Sequence, residues 1–388
     1  MTEAAGRARG PLVTALARGA LAFVGVALAG QAIAFAVYAA SGLYRPWSWV
    51  KIGLLYVLSF CGVAIEATVP ALAAQPIRVR LVLMLGTALV VAVAFRAGVA
   101  AVRATRSSRV SSAAVWGAVP AVPFGLLAGF ASLLVSLRFP DNGIERLRPV
   151  TWEAFALPFV LFAVAGAAGG VAAAVRDRPT RMSKAAAGGW RMFVAALLLA
   201  AGGVLVLAAL EPGVTRGYAR GLQGMGSGGT VLFAHHLLVV PNQSLDVLAP
   251  SMGGSTELEL EVGGAQLTLG GISRLRGVGL ITGWGPAGLV FPRYYLLFLA
   301  VPGVAAVMGG RRAAEGTVER GERAIRGALA GAVFAALVAV GSAMATIVMT
   351  GVTGWRGHLG PALPSTVLLA LAWGVAGGIA GAVVPGRR

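Results

Sequence analysis

Eight long apolar runs divide this chain of 388 residues, and they limit its possible folds more than any other feature. Each run is about 20 residues long, the length that an α-helix needs to cross the hydrocarbon core of a bilayer. The sequence therefore predicts an all-α polytopic membrane protein with about eight transmembrane helices. The runs cover residues 19–40, 81–103, 113–137, 155–175, 190–210, 289–309, 327–350 and 362–384.

The scarcity of charge agrees with this prediction. Only 12% of the residues are charged, whereas a soluble domain typically carries about 25%. A surface so poor in charge needs a solvent other than water. We therefore expect the lipid bilayer to surround most of the chain.

Two further segments, 48–72 and 229–252, are ambiguous. The first is long enough to span but contains Glu66, and the second is interrupted by polar residues at 241–244. If both span, the helix count rises to ten. The alternative is that both are re-entrant or interfacial, because irregular backbone survives at membrane depth only where protein or water satisfies it.

The character of the chain changes between residues 253 and 285. Acidic and aliphatic residues alternate before a Gly263-Gly264 pair, which is typical of a β-hairpin. We expect a small extracytoplasmic hairpin here. The alternating residues are Glu257, Leu258, Glu259, Leu260, Glu261 and Val262.

The net charge of +18 bears on how the chain is oriented in the membrane, and it does not indicate a nucleic-acid partner. The basic residues form short clusters between apolar runs, without interleaved aromatic residues. With eight helices and a cytoplasmic N-terminus, 18 of the 32 basic residues lie inside and 13 outside, and Arg96 lies within a span near its inner end. This bias favours cytoplasmic N- and C-termini. The rarity of lysine among many Ala, Gly, Val and Arg residues is typical of a GC-rich bacterial genome, so we expect a bacterial cytoplasmic membrane.

Short matches in the same order indicate an internal duplication, with one repeat at 1–185 and the other at 186–388. Residues 98–102 are identical to 303–307, for example. The basic loops fall at corresponding points in both copies. A unit of four spans keeps its direction when it is repeated. We therefore expect a tandem parallel 4+4 repeat in which the two ambiguous segments are equivalent.

Glu66 and Asp246 are the only acidic residues inside apolar runs, and each precedes a proline by four positions. A carboxylate at membrane depth is costly to insert and usually serves function. The pair is therefore a candidate cavity that accepts a substrate, a proton or a cation. The alternative is that each carboxylate is hydrated at the outer interface or caps a broken helix.

His235 and His236 are adjacent, so on a helix they point about 100° apart and cannot clamp one metal ion from one face. With Asn242 they are candidates for a polar pocket near Asp246, or else they are ordinary interfacial residues. The sequence predicts no metal site and no cofactor. The single Cys61 excludes a disulfide framework.

The pairs Gly166/Gly170 and Gly374/Gly378 have the Gly-x-x-x-Gly spacing that lets helix backbones approach closely. We expect these residues to serve helix packing.

The leading functional expectation is a transporter or permease for a small molecule or ion. The alternative is a non-catalytic membrane scaffold or envelope assembly partner, acting as a homo-oligomer or with a membrane partner protein. An enzyme is not expected, since no nucleophile–base or metal spacing is visible. A transporter requires a polar cavity that reaches Glu66 and Asp246, whereas a scaffold is packed at these positions.

Overall fold

The structure is a computed structural model that separates into two compact units. Unit 1 comprises Met1–Arg178, Gly221–Leu238 and Met349–Thr353, and unit 2 comprises Pro179–Arg220, Val239–Val348 and Gly354–Arg388. The structure describes residues 2–41, 48–70, 76–105, 107, 109–139, 144–175, 181–210, 212–262, 265–267, 274–276, 297–351 and 356–384.

The prediction of eight long apolar helices is confirmed. Eight helical stretches of the described chain are long and apolar enough to cross a membrane. The third of them contains two consecutive helices, α4 and α5. The helices of these stretches are α1 (Thr2–Ser41), α3 (Met84–Thr105), α4 (Val110–Ala118), α5 (Ala121–Leu134), α6 (Thr151–Val175), α7 (Arg181–Leu210), α11 (Ala300–Ala314), α12 (Arg320–Ala345) and α13 (Leu363–Val383).

The two ambiguous segments form short helices. A helix of 13 residues is only about 20 Å long, which is less than the thickness of the hydrocarbon core. The segment 48–72 contains one such helix and then a strand, and the segment 229–252 contains parts of two helices that meet at Val239. The short helices are α2 (Ser48–Phe60), α8 (Pro212–Gly224), α9 (Ser227–Leu238) and α10 (Val240–Ser251).

Nine strands lie in the described chain, which is more than the single hairpin expected. Strands β5 and β6 pair within the predicted hairpin region, with Leu260 opposite Leu267 and Val262 opposite Ala265. The strands are β1 (Ile65–Thr68), β2 (Ile77–Arg80), β3 (Leu137–Phe139), β4 (Ile144–Pro149), β5 (Ser255–Val262), β6 (Ala265–Leu267), β7 (Arg274–Arg276), β8 (Ile347–Gly351) and β9 (Arg356–Pro361). Residues 263–264, 268–273 and 277–285 of the predicted hairpin region lie outside the described residues.

In unit 1, helix α6 packs against α3, α4 and α5. The contact is backbone on backbone, because a Cβ at Gly166 would overlap the carbonyl oxygen of Gly117 and one at Gly98 would overlap that of Gly166. The rings of Phe124 and Phe162 stack with their centroids 4.2 Å apart. Without a hydrophobic driving force in lipid, such close contact supplies much of the attraction between helices.

The strands of unit 1 run in the order β3-β4-β1-β2, and the three neighbouring pairs are antiparallel. Helix α2 leads into this sheet through Gly62, whose φ of 79° suits glycine. The backbone N–H of Val63 donates to the carbonyl of Leu58 at 3.1 Å, and that of Gly62 donates to Ser59 at 3.1 Å. These two bonds form a Schellman motif, which ends the helix and starts the strand.

In unit 2, helix α13 packs against α11 and α12 in a similar way. A Cβ at Gly378 would overlap the carbonyl oxygen of Gly327, and one at Gly310 would overlap that of Gly378. Phe334 on α12 is fully buried. Glycine again brings the two backbones into direct contact.

Helix α10 of unit 2 ends at Ser251, and Gly253, which has a φ of 99°, follows it. The backbone N–H of Gly254 donates to Ala249 at 2.9 Å and that of Gly253 donates to Pro250 at 2.9 Å. Strand β5 follows, with β9 on one edge and β6 and β7 on the other.

We predict that Gly166→Ala destabilises the protein by about 1–3 kcal/mol, since the added methyl group would push α6 away from α4. Gly25→Ala is the matched control, because a Cβ at Gly25 of α1 meets no atom within 4 Å. The measurement is the thermal unfolding midpoint of the purified protein in detergent. Equal midpoints for the two variants would contradict the packing argument.

Candidate functional site

Glu66 lies in strand β1, with Arg78 of β2 opposite it on one side and Arg148 of β4 on the other. Its Oε1 accepts a hydrogen bond from Arg78 Nε at 2.9 Å, and its Oε2 accepts one from Arg148 Nε at 3.0 Å. The Glu66 side chain is 12% exposed. Both carboxylate oxygens are therefore engaged in holding three strands in register.

Sequence reasoning missed a second carboxylate of this region, Glu153 in the first turn of α6. Its Oε2 accepts from the backbone N–H of Ala64 at 2.9 Å and its Oε1 accepts from Arg80 Nη2 at 2.6 Å. Glu153 is only 4% exposed. It ties the start of α6 to the strands, and a carboxylate is favourable at a helix N-terminus. Its place at the beginning of a predicted span was the signal available in the sequence.

His235 lies on α9 and hydrogen-bonds with Tyr56 of α2 inside unit 1. The Tyr56 hydroxyl lies 2.8 Å from His235 Nε2, and His235 Nδ1 lies 2.7 Å from the carbonyl oxygen of Val231. A carbonyl can only accept, so Nδ1 donates to Val231, and Nε2 is left to share the hydrogen bond with the Tyr56 hydroxyl. Burial raises the pKa of Tyr56, and electrostatic repulsion from Tyr38 raises it further. The Tyr56 hydroxyl therefore stays protonated.

Tyr56 and His235 border a cavity of about 190 Å³ that otherwise has a mostly aliphatic lining. Ile65 and Leu147 contribute from strands β1 and β4, on the face opposite to Glu66, because successive strand residues alternate between faces. The cavity is smaller than the roughly 300 Å³ at which ligand pockets usually begin. The cavity has room for a few small apolar groups, and Tyr56 and His235 form its polar end.

Asp246 lies on helix α10 of unit 2. Its Oδ1 is buried and has no hydrogen-bond partner among the described residues, while its backbone carbonyl accepts from Thr256 Oγ1 at 2.8 Å. Burial raises the pKa of Asp246 to about 7. The side chain therefore exchanges its proton near neutral pH, and its ionised form is poorly solvated.

Asn242 lies one helical turn before Asp246 and is 4% exposed, so the two residues share one face of α10. His236 is half-buried on α9 of unit 1. The predicted site residues thus fall in two places: Glu66, His235 and His236 in unit 1, and Asp246 and Asn242 in unit 2.

Glu66 and Asp246, expected from the sequence to be equivalent, lie in different kinds of element. Glu66 follows a helix end and lies in a strand, whereas Asp246 lies within a helix. The proline that follows each of them by four positions has a different role, since Pro70 comes after the strand and Pro250 sits in the last turn of α10.

Gly166 and Gly170 lie where α6 meets α4, and Gly374 and Gly378 lie where α13 meets α12. Within the described residues, no group of three or more His, Cys, Asp or Glu side chains could hold a metal ion. Comparison of the chain with protein-family models, with curated proteins and with solved structures found no match.

We predict that the protein loses stability as the pH rises from about 4 to about 7, because folded Asp246 holds a proton that its unfolded counterpart releases. The contribution is fully present below pH 4 and is lost through pH 7. Asp246→Asn mimics the protonated form, so its advantage over the wild type should grow across this window and then level off. Asp246→Glu retains a titrating group and should keep the slope. Unfolding midpoints measured against pH in detergent test this, and parallel curves for wild type and Asn variant would contradict it.

Proposed function

We propose that this chain is a multi-pass protein of a bacterial cytoplasmic membrane that acts as a non-catalytic scaffold, an envelope assembly partner. The observation that carries the proposal is the use of Glu66 in the ion pairs with Arg78 and Arg148. The transporter hypothesis needed this carboxylate in a polar cavity together with Asp246. Neither residue lines the cavity beside Tyr56 and His235, the cavity between α1 and α3 or the cavity between α7 and α11.

The orientation of unit 1 in the membrane follows from its basic loops. Strands β1 to β4 adjoin the N-terminal ends of α3 and α6 and the C-terminal end of α5. The basic segments 103–109 and 176–184 lie at the other ends of these helices. Because basic loops stay in the cytoplasm, the sheet is extracytoplasmic and both chain termini are cytoplasmic in this proposal.

A tandem duplication is part of the proposal, and contacts inside each unit support it. Gly98 and Gly166 of unit 1 touch as Gly310 and Gly378 of unit 2 do. The N–H of Val150 donates to Ala64, as that of Ala362 donates to Ser255. The separation along the sequence is the same for three pairs of residues. These pairs are Gly98 and Gly310, Gly166 and Gly378, and Val150 and Ala362.

These contacts favour a different register from the one expected from the sequence. The counterpart of Gly98 becomes Gly310 and not Gly303, and that of Gly166 becomes Gly378 and not Gly374. The strands agree, because β1 pairs with β4 as β5 pairs with β9, with Glu66 opposite Arg148 and Glu257 opposite Gly360. Glu66 then corresponds to Glu257, and α8 and α9 become an insertion in the second repeat.

The outward face of the unit 1 sheet is the proposed working surface. Arg78 and Arg148 are opposite Glu66, and Arg146 is opposite Thr68, so these three arginines share one face of the sheet with Glu66. Arg78 and Arg148 are about half exposed. Such a face has surplus positive charge, and electrostatic complementarity calls for a partner protein with an acidic surface.

The test uses Arg146→Cys in a chain whose Cys61 is replaced by alanine. We expect a membrane-impermeant maleimide to label this cysteine in intact cells, and a photoreactive maleimide on it to give one discrete protein adduct. The adduct yield should fall as ionic strength rises, because exposed charges are screened. Ser107→Cys is the control for the opposite side and should react only after permeabilisation. Labelling of Ser107→Cys from outside would overturn the orientation, and an adduct insensitive to salt would overturn the charge argument.

Proton-coupled transport is the second candidate, favoured by Asp246. Its unpartnered Oδ1 is accompanied in unit 2 by the buried hydroxyl oxygens of Ser342 and Thr366, which also have no partner among the described residues. Buried polar groups of this kind are normally satisfied by water, so they are compatible with a hydrated path.

Reconstituted vesicles with an imposed pH gradient separate the two functions. The scaffold proposal predicts that wild-type protein and Asp246→Asn both leave the gradient as stable as in protein-free vesicles. A gradient that collapses with wild-type protein but persists with Asp246→Asn would replace the scaffold proposal by proton transport. The decay of an entrapped pH-sensitive dye signal is the measurement.

A further inference from the structure

An open cavity of about 570 Å³ lies between helices α1 and α3 of unit 1, and we call it the arginine groove. Arg18 of α1 lines it, and the remaining lining residues come from α3. These are Phe95, Arg96, Val99, Ala100 and Arg103. The volume lies within the range of small-molecule sites.

The groove is strongly basic. Arg18, Arg96 and Arg103 are all exposed, and none of them forms an ion pair or hydrogen bond within the part of the chain that the structure describes. Arg96 and Arg103 are two helical turns apart, so they lie on the same side of α3, about 10 Å apart along its axis. Three guanidinium groups around one cavity are suited to a phosphate group.

The position of the groove selects a lipid as its occupant. Arg18 and Arg96 both lie within the spans Gly10–Ala39 and Met84–Thr105, and the side chains of Phe95 and Val99 provide an apolar wall. Arg96 is about 13 Å along the helix axis from the end of α3. An unpaired guanidinium at that depth is costly unless it reaches the interface or meets an anion.

Unit 2 has a cavity of about 610 Å³ between the corresponding helices α7 and α11. Trp190, Arg191 and Arg312 contribute to its lining. Arg312 forms an ion pair with Glu315. The unit 2 cavity therefore has fewer unpaired arginines than the arginine groove. It lies between the helices of unit 2 that correspond to α1 and α3.

We infer that the arginine groove binds an anionic phospholipid, with the phosphate held by Arg18, Arg96 and Arg103 and an acyl chain lying along Phe95 and Val99. Basic pockets between membrane helices on the cytoplasmic side are suited to acidic headgroups. This inference is independent of the scaffold proposal, because it concerns the opposite end of the helices. The corresponding cavity of unit 2 binds the same lipid more weakly.

The experiment is native mass spectrometry of the full-length protein, released from detergent and titrated with dioleoyl phosphatidylglycerol. We expect the first phosphatidylglycerol to bind more tightly than phosphatidylcholine with the same acyl chains. The triple variant Arg18→Gln/Arg96→Gln/Arg103→Gln should weaken this first binding roughly 100-fold, since each basic residue near a membrane contributes roughly a five-fold factor.

Arg109→Gln/Arg311→Gln/Arg320→Gln is the matched control. It removes the same charge from exposed positions that do not line the groove, and binding should stay within about two-fold of the wild type. If the triple glutamine variant does not fold, Arg18→Lys/Arg96→Lys/Arg103→Lys retains the charge without the planar fork and should bind at an intermediate level.

Three outcomes would overturn the inference. Equal losses in the groove and control variants would mean that net charge alone attracts the lipid. Equal binding of phosphatidylcholine would remove the role of the arginines. Competition by glycerol phosphate as effective as that by the intact lipid would make the groove a site for free phosphate esters.

Discussion

Lipid hydrocarbon offers the peptide backbone no hydrogen bonds, and this constraint arranges the rest of the structure. Wherever the chain is apolar for about 20 residues, it satisfies its own backbone groups as a helix. The strands are confined to the short segments that connect helices. In both units they pair antiparallel with a neighbouring strand, so that these segments also satisfy their backbone groups.

Because lipid tails are as apolar as the helices, association of the helices depends on close contact. Glycine supplies that contact in both units, where the carbonyl oxygens of Gly117 and Gly327 occupy the space that a side chain on Gly166 or Gly378 would need. The same contacts limit the room for a polar passage beside α6 and α13. This close packing is one of the observations that support the proposed scaffold function.

The few charged groups divide into two kinds. Glu66 and Glu153 are fully engaged with arginines and backbone, and they fix how the strands join the helices of unit 1. Arg18, Arg96 and Arg103 have no protein partner in the described chain and line one groove between α1 and α3. Asp246 belongs to neither kind, since its Oδ1 is buried and has no partner among the described residues, and this is why it remains the strongest argument for a function that involves protons.

The sequence by itself determined the membrane class and the eight long helices, because the solvent preference of a 20-residue apolar run is a local property. It also predicted a hairpin within 253–285, and of that region the structure describes the pairing of β5 with β6. It could not determine strand β1 inside 48–72, since Ile65–Thr68 is too short and too apolar to be told from a helix by its sequence. Its pairing with the strands of Arg78 and Arg148 appears only in the folded chain. The role of Glu66, its place in a different kind of element from Asp246 and the gathering of three arginines in one groove were decided only by tertiary structure, because each depends on side chains that are distant in sequence and meet only after folding.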